Sequence, residues 1–594
     1  MKKLNLIFLI LLLVFPYNVT GFNFGNLIIM FLGIIFLFIS KKIMGNRYLI
    51  LIMIAYALSG IISIFFIDSS INSISGLSTY FAPFIFYLIW NNILNREDNE
   101  GETILKYIVY ILGISSLVFI LIQCGIKNLR VYGNVSYANT YALILLTGIY
   151  LNTIVNDRKY KNIIEVIFFI GIFATGSRTT IACLIVYITL RSFINKSINI
   201  KETILNISLS VISFILIDNY IEIVIFTLPI LFIVGKWIYN KKISKFIVLI
   251  PIILSVLMLI ITPNYIINRL SNISLKQGTL QERFIIFEDT IKCIVDKPMG
   301  YGINTYENTI LSNQSAFYGI KYSHNSILQV GFESGVLSSI ALILLFIVSL
   351  MVIFKGNKFK DGAIVFCIVF LHSLLDFDFS FVLVIALWML VIVINEQKNN
   401  NNINISLNKY YKFVHVIFII IILPIVFQEV VVWTSTIYNK NDKYSLSKDI
   451  SRLSIFKDYR IDELYIDSCL GMYYLNKDKV DLEKAIELIN ENDESIKVIW
   501  NSIYIYELLD KKKEVIEGYD KLLALQPYYF EVYKNYYITL KKYYVESNEN
   551  YYNEKIEELE NVFYSNLKSL NSNAKYIYNQ LPIEFEDVVT MEMR

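Results

Sequence analysis

Charge is scarce in this chain, and so are the residues that usually advertise chemistry. Asp, Glu, Lys and Arg make up 17% of the 594 residues, while hydrophobic residues make up 56%. An ordinary soluble domain is thereby excluded, because a core of normal size cannot bury that much apolar surface. The five cysteines, Cys124, Cys183, Cys293, Cys367 and Cys469, include no Cys-x-x-Cys pair. Three of them fall inside apolar runs, so neither a zinc site nor a disulfide framework is indicated. Lys and Arg are dispersed over loops instead of gathered on one basic face, and nucleic acid is not an expected partner. Histidine occurs three times, at His324, His372 and His415.

What the chain has in abundance is apolar sequence of membrane-crossing length. Runs of roughly 17 to 25 mainly apolar residues, each long enough to cross a hydrocarbon core of about 30 Å as a helix, recur as far as about residue 437. They fall near 4–20, 24–40, 48–67, 77–94, 104–124, 137–155, 162–175, 179–194, 203–217, 221–238, 246–262, 336–354, 362–375, 379–394 and 413–437. The expected fold is therefore all-α: a polytopic transmembrane helical bundle of about 12 to 15 spans, followed by a soluble helical domain.

Orientation follows from the basic residues. With Met1-Lys2-Lys3 cytoplasmic and the crossings alternating, the clusters Lys41/Lys42/Arg47, Arg158/Lys159/Lys161, Lys241/Lys242/Lys245 and Lys355/Lys358/Lys360 all fall on the cytoplasmic side, as the positive-inside rule requires. The first helix lacks a small-x-small cleavage site and reads as retained. A membrane domain over 1–438 and an extracytoplasmic helical domain over 439–594 follow. A polar segment at about 263–335 and everything after Tyr438 are expected on the outer face. In the last segment Leu523-Ala-Leu-Gln-Pro527 resembles the join between tetratricopeptide repeats, where a Pro ends one helical hairpin before the next begins. This domain reads equally as a solvated cap and as a docking surface for a protein partner.

The segment between the two long apolar stretches concentrates the polar signals: Glu282-Arg283-Phe284, then Asp296-Lys-Pro-Met-Gly300-Tyr-Gly302, then Ser323-His324-Asn325-Ser326, closing with Glu333-Ser-Gly335. Arg283 opens a helix-like stretch whose apolar side could lie on the membrane surface. Taken alone it reads almost as readily as an ordinary charge on an amphipathic helix. His324 stands just before a helix, and a structural His is as consistent with that position as a catalytic one. Arg178, in Gly176-Ser-Arg178-Thr-Thr180, falls at the outer end of two spans, where a spare Arg is disfavoured; its bland reading is an interfacial snorkelling side chain. Taken together, two guanidiniums offer a charged fork of donors to a diphosphate. A nearby His can take a proton from an attacking hydroxyl near neutral pH. The Gly300/Gly302 turn would let backbone approach a ligand closely. The outer loops are read as carrying no Asp-x-Asp or other acidic cluster, so transfer without a metal or cofactor is expected.

These motifs, in order and spacing, resemble the signature of the O-antigen ligase and polymerase superfamily of membrane glycosyltransferases, over roughly residues 100–395. The elements are Gly176-Ser-Arg178, Arg283 with Pro298-x-Gly300-x-Gly302, and His324-Asn325 leading to Glu333-x-Gly335. Gly133-Asn-Val-Ser-Tyr-Ala-Asn139 is similar to an external segment of that family, and His372-Ser-Leu-Leu-Asp376-Phe-Asp378 resembles a further motif of its members. The resemblance implies that Arg178 and Arg283 hold the diphosphate of an undecaprenyl-linked glycan donor and that His324 assists attack by the acceptor. His372 and Asp376, one helical turn apart, are expected to share a face, either as a polar contact to glycan or as a pair that locks helix packing; the second reading is preferred. His415 reads as structural. The implied activity is transfer of a glycan from undecaprenyl diphosphate to a glycan, lipid or protein hydroxyl at the outer face of the cytoplasmic membrane. The alternative from another class is a flippase of lipid-linked glycans, whose unusual residues should lie near the midplane.

Overall fold

Hydrophobic runs in lipid satisfy their backbone polar groups internally as helices, and helices are what the computed structural model shows. It describes residues 2–16, 22–39, 42–66, 71–94, 100–127, 129–155, 160–194, 200–219, 251, 253–257, 278–356, 360–396, 402–406, 409–489, 495–570 and 584–590. The expected run at 221–238 lies outside these residues, and so does most of that at 246–262. Each of the other expected runs coincides with a helix. Among the described residues five helices are long and apolar enough to cross a membrane: Arg47–Phe65, Ser73–Leu94, Glu100–Ile126, Val336–Gly356 and His415–Lys440. Shorter apolar helices run over Asn5–Val14, Asn23–Phe38, Asp361–Ser373 and Val382–Asn395. The chain is an all-α, multi-pass membrane protein. One small departure is a two-stranded antiparallel ribbon, Lys42–Asn46 with Asn402–Ser406, in which Gly45 pairs with Ile403.

The chain divides into two compact units. The first comprises residues 1–59, 76–273 and 340–423. Its centre is the Ala138–Ile154 helix, almost every residue of which is buried, and the Val382–Asn395 helix, buried nearly throughout. A helix apolar all round belongs inside a bundle. Trp388 is stacked on Phe366 at 4.7 Å and lies among Phe370 and Phe379. His415 is held in this unit by the Ile34 carbonyl at 2.9 Å and a stacked Phe38 ring.

The second unit comprises residues 60–75, 274–339 and 424–594, so the polar segment clusters with the C-terminal helices. These form successive pairs, among them Ile496–Leu508 with Lys512–Leu525 and Phe530–Ser547 with Asn550–Ser569. Tyr519 stacks on Tyr536 at 4.8 Å, joining one pair to the next. The Pro527 carbonyl accepts from Tyr533 Oη at 2.8 Å. The polar segment has its own small core of Ile285, Ile286, Tyr306, Ile310, Tyr318 and Phe332, completed by Leu570 and flanked by Tyr528 and Phe530 from the C-terminal helices. Phe317 lies stacked against Tyr529 at 4.2 Å.

Candidate active site

In the second unit, Arg283 sits half-buried early in the Gly278–Asp296 helix. That helix turns Ile285, Ile286, Asp289, Thr290 and Cys293 inward, while Phe284, Ile291 and Val295 are exposed. Apolar residues thus occupy two of its faces, one packed into the segment's core and one left outward. Asp289 binds the far side of the segment: its Oδ2 accepts from the Ser315 amide at 2.8 Å and from Tyr318 Oη at 3.0 Å. Burial pushes the Asp289 carboxyl above its ordinary pKa, and the Ser315 and Tyr318 donors partly offset this. Thr290 Oγ1 pairs with Tyr306 Oη at 2.8 Å. The Arg283 helix is therefore fixed to the irregular stretch that leads to His324.

The Gly/Pro turn meets backbone. Gly300 and Gly335 have φ of 93° and 85°, the left-handed region that favours glycine. A Cβ on Gly300 would lie 2.6 Å from the Glu333 carbonyl oxygen and 2.7 Å from the Gly335 nitrogen. The Tyr301 and Gly302 amides donate to the Phe332 and Glu333 carbonyls at 2.8 and 2.9 Å, and the Val336 amide donates to the Pro298 carbonyl at 2.9 Å. The close approach that the sequence assigns to a ligand is made here to the end of the following helix. Two motifs far apart in sequence are one interlock.

That helix, Ser326–Ser334, begins at the candidate base. Asn325 is its N-cap and accepts from the Ile327 and Leu328 amides at 3.0 Å, a satisfied helix start of ordinary kind. His324 is half-buried and has φ of 53°, a conformation that costs a non-glycine residue about 1 to 3 kcal/mol and persists only where the surroundings impose it. The surroundings are a buried line of side chains. Gln329 accepts from the Ser323 amide at 2.7 Å and donates to Glu333 at 2.7 Å. Burial pushes the Glu333 carboxyl up to about 8, against the lowering effect of hydrogen bonds from Gln329 and the Asn304 amide.

The remaining candidates lie in the first unit. Gly176 ends the Lys161–Thr175 helix, its amide donating to Phe173. Ser177 Oγ accepts from the Thr180 amide at 3.4 Å, and Arg178 is the first residue of the Arg178–Ile194 helix, half-buried. Arg130, which the sequence reading passed over, donates from Nε to the Thr175 carbonyl at 2.7 Å.

His372 is paired with Asp378 at 2.6 Å, which corrects the expected pairing with Asp376. The cause is that the Lys360–Ser373 helix ends before it reaches position 376, so the i,i+4 relation does not apply. Asp376 instead accepts from Tyr137 Oη at 3.0 Å and Asn139 Nδ2 at 2.9 Å, while Asp378 also accepts from Thr140 Oγ1 at 2.7 Å. His372 Nε2 meets Thr180 Oγ1 at 3.1 Å. Asp376-Phe-Asp378 does have the Asp-x-Asp spacing that the outer loops were read as lacking, but its two carboxylates have different partners. Among the described residues no group of three His, Cys, Asp or Glu side chains is placed to hold a metal ion. The network joins the Gly133–Asn139, Gly176–Thr180 and His372–Asp378 motifs, and His372, Asp376 and Asp378 are buried.

The structure thus brings Gly300 and Gly302 together with Glu333 and Gly335 beside the His324-Asn325 helix start, and brings Arg178's helix start together with His372 through Thr180. No curated protein matches the chain. Residues 204–346 match the family model of O-antigen ligase, a stretch that contains Arg283, the Gly300–Gly335 interlock and His324.

Proposed function

We propose that this chain is a membrane glycosyltransferase of the O-antigen ligase or polymerase type, moving a glycan from undecaprenyl diphosphate to an acceptor hydroxyl at the outer face of the cytoplasmic membrane. The observation that carries the reading is the O-antigen ligase match over 204–346, which falls on the segment where an arginine, a constrained histidine and an interlocked glycine turn occur together.

In this reading the acceptor oxygen attacks the anomeric carbon and the bond from that carbon to the diphosphate oxygen breaks. Undecaprenyl diphosphate leaves with the bonding electrons, and His324 takes the hydroxyl proton. Arg178 and Arg283 neutralise the departing diphosphate. Arg178 adds a positive charge to the positive end of a helix, an unfavourable placement that an anion reverses. Neither a metal nor a cofactor takes part in any of these steps. The acceptor is a glycan, which makes a polymerase, a lipid, which makes a ligase, or a protein hydroxyl, which makes a protein O-oligosaccharyltransferase. The C-terminal helical pairs belong to a tetratricopeptide-like domain.

Binding of an undecaprenyl-diphosphate oligosaccharide to the purified protein tests the donor site. Arg178→Ala and Arg283→Ala are expected to weaken it while His324→Ala leaves it intact. Unchanged binding in both arginine variants would refute the assignment.

A further inference from the structure

The Lys409–Lys440 helix turns Ile420, Ile421, Leu423, Phe427 and Val430 outward, an exposed apolar stripe that stops at Val430. From there to Lys440 the helix rises a further ~15 Å, and Trp433 and Tyr438 mark the level where aromatic side chains favour the membrane boundary. A loop from the C-terminal domain returns to the end of the stripe. Gln428 binds it, donating to Ser454 Oγ at 2.8 Å and accepting from the Ile455 amide at 3.2 Å. Arg460 then grips Glu429 at 2.7 and 3.1 Å and Asp458 at 2.8 and 3.0 Å, a buried charge cluster that fixes the height of the loop.

The loop carries the wrong residues for water. Leu453 is 57% exposed, Ile455 52% and Phe456 38%, with Arg452 and Lys457 on either side. Arg452, Lys457 and Lys484 line a cleft of about 480 Å³ together with Asp462, Tyr465 and Glu487, offering partners to both the phosphate and the amine of a phospholipid headgroup. Apolar tips flanked by basic residues are the composition of an interfacial membrane contact.

We propose that the Arg452–Lys457 loop is a phospholipid-binding element that dips Leu453, Ile455 and Phe456 into the leaflet beside the last span and holds the C-terminal helices at the bilayer surface. Phe427 and Val430 and the loop, joined through the buried Gln428, then face the lipid together. This does not depend on the transferase reading.

The test uses the unaltered full-length chain in nanodiscs of phosphatidylethanolamine and phosphatidylglycerol, doped with a phosphatidylcholine that carries a diazirine in its acyl chain. After photolysis, lipid adducts are mapped by mass spectrometry. The expected result is adducts on Leu453–Phe456 as well as on the span at Phe427–Val430, with none around the exposed Val545 of the Phe530–Ser547 helix. Adducts on the span with none on Leu453–Phe456 would overturn the proposal.

Discussion

Gly300 and Gly335 lie back to back: a Cβ on the first would come within 2.7 Å of the second's amide nitrogen, and a Cβ on the second within 2.6 Å of the Pro298 carbonyl oxygen. Both have positive φ, so any side chain is resisted twice, by conformation and by space. Gly300→Ala and Gly335→Ala are each expected to destabilise the segment by more than about 2 kcal/mol, seen as faster amide exchange over 297–335 and loss of activity. Gly319, where an added Cβ meets nothing within 4 Å, is the control: Gly319→Ala should change neither.

Glu333 gives the segment a pH dependence of defined sign. Its folded-state pKa is raised from 4.5 to about 8, so the folded chain keeps a proton that the unfolded chain releases. Stability is therefore greatest on the acid side and falls as pH rises between about 4.5 and 8, by at most about 1.4 kcal/mol per unit. The thermal midpoint of the wild type should decline across this window relative to Glu333→Gln, whose amide cannot ionise. Parallel midpoints from about pH 5 to about pH 9 would contradict the assignment.

Asp378→Ala should be among the most damaging substitutions in the first unit. It strips His372 Nδ1 and Thr140 Oγ1 of a buried partner, and breaking such a pair costs about 3 to 5 kcal/mol. The measurement is the midpoint of thermal unfolding in detergent. Asp378→Asn, which keeps an acceptor for Thr140, should lose less.

Much of this architecture was legible because lipid imposes strict length and composition on a span, and the runs read from sequence coincide with helices wherever those residues are described. Other relationships were hidden from a linear reading. The i,i+4 spacing of His372 and Asp376 predicts a shared face only if the helix continues, and it ends at Ser373. The pairing with Asp378 depends on how the following turn folds back, which spacing alone does not reveal. Gly300 and Gly335 stand out as glycines in a polar segment, but nothing local shows that each is there for the other. Asp289 carries no mark in the sequence, and only the fold places Ser315 and Tyr318 on it.

The stacked pair Phe317 and Tyr529 ties the polar segment to the C-terminal helices. Tyr529→Ala should cost about 1 kcal/mol, loosen the segment in limited proteolysis, and lower activity while leaving donor binding unchanged.

The most direct measurement incubates the purified protein with an undecaprenyl-diphosphate oligosaccharide and a panel of acceptors, with and without EDTA, for wild type, His324→Ala and Arg283→Ala. The expected result is release of undecaprenyl diphosphate with growth or transfer of the glycan, insensitive to EDTA and lost in both variants. Intact donor binding with no turnover in any sample would contradict it and point instead to a carrier of lipid-linked glycans.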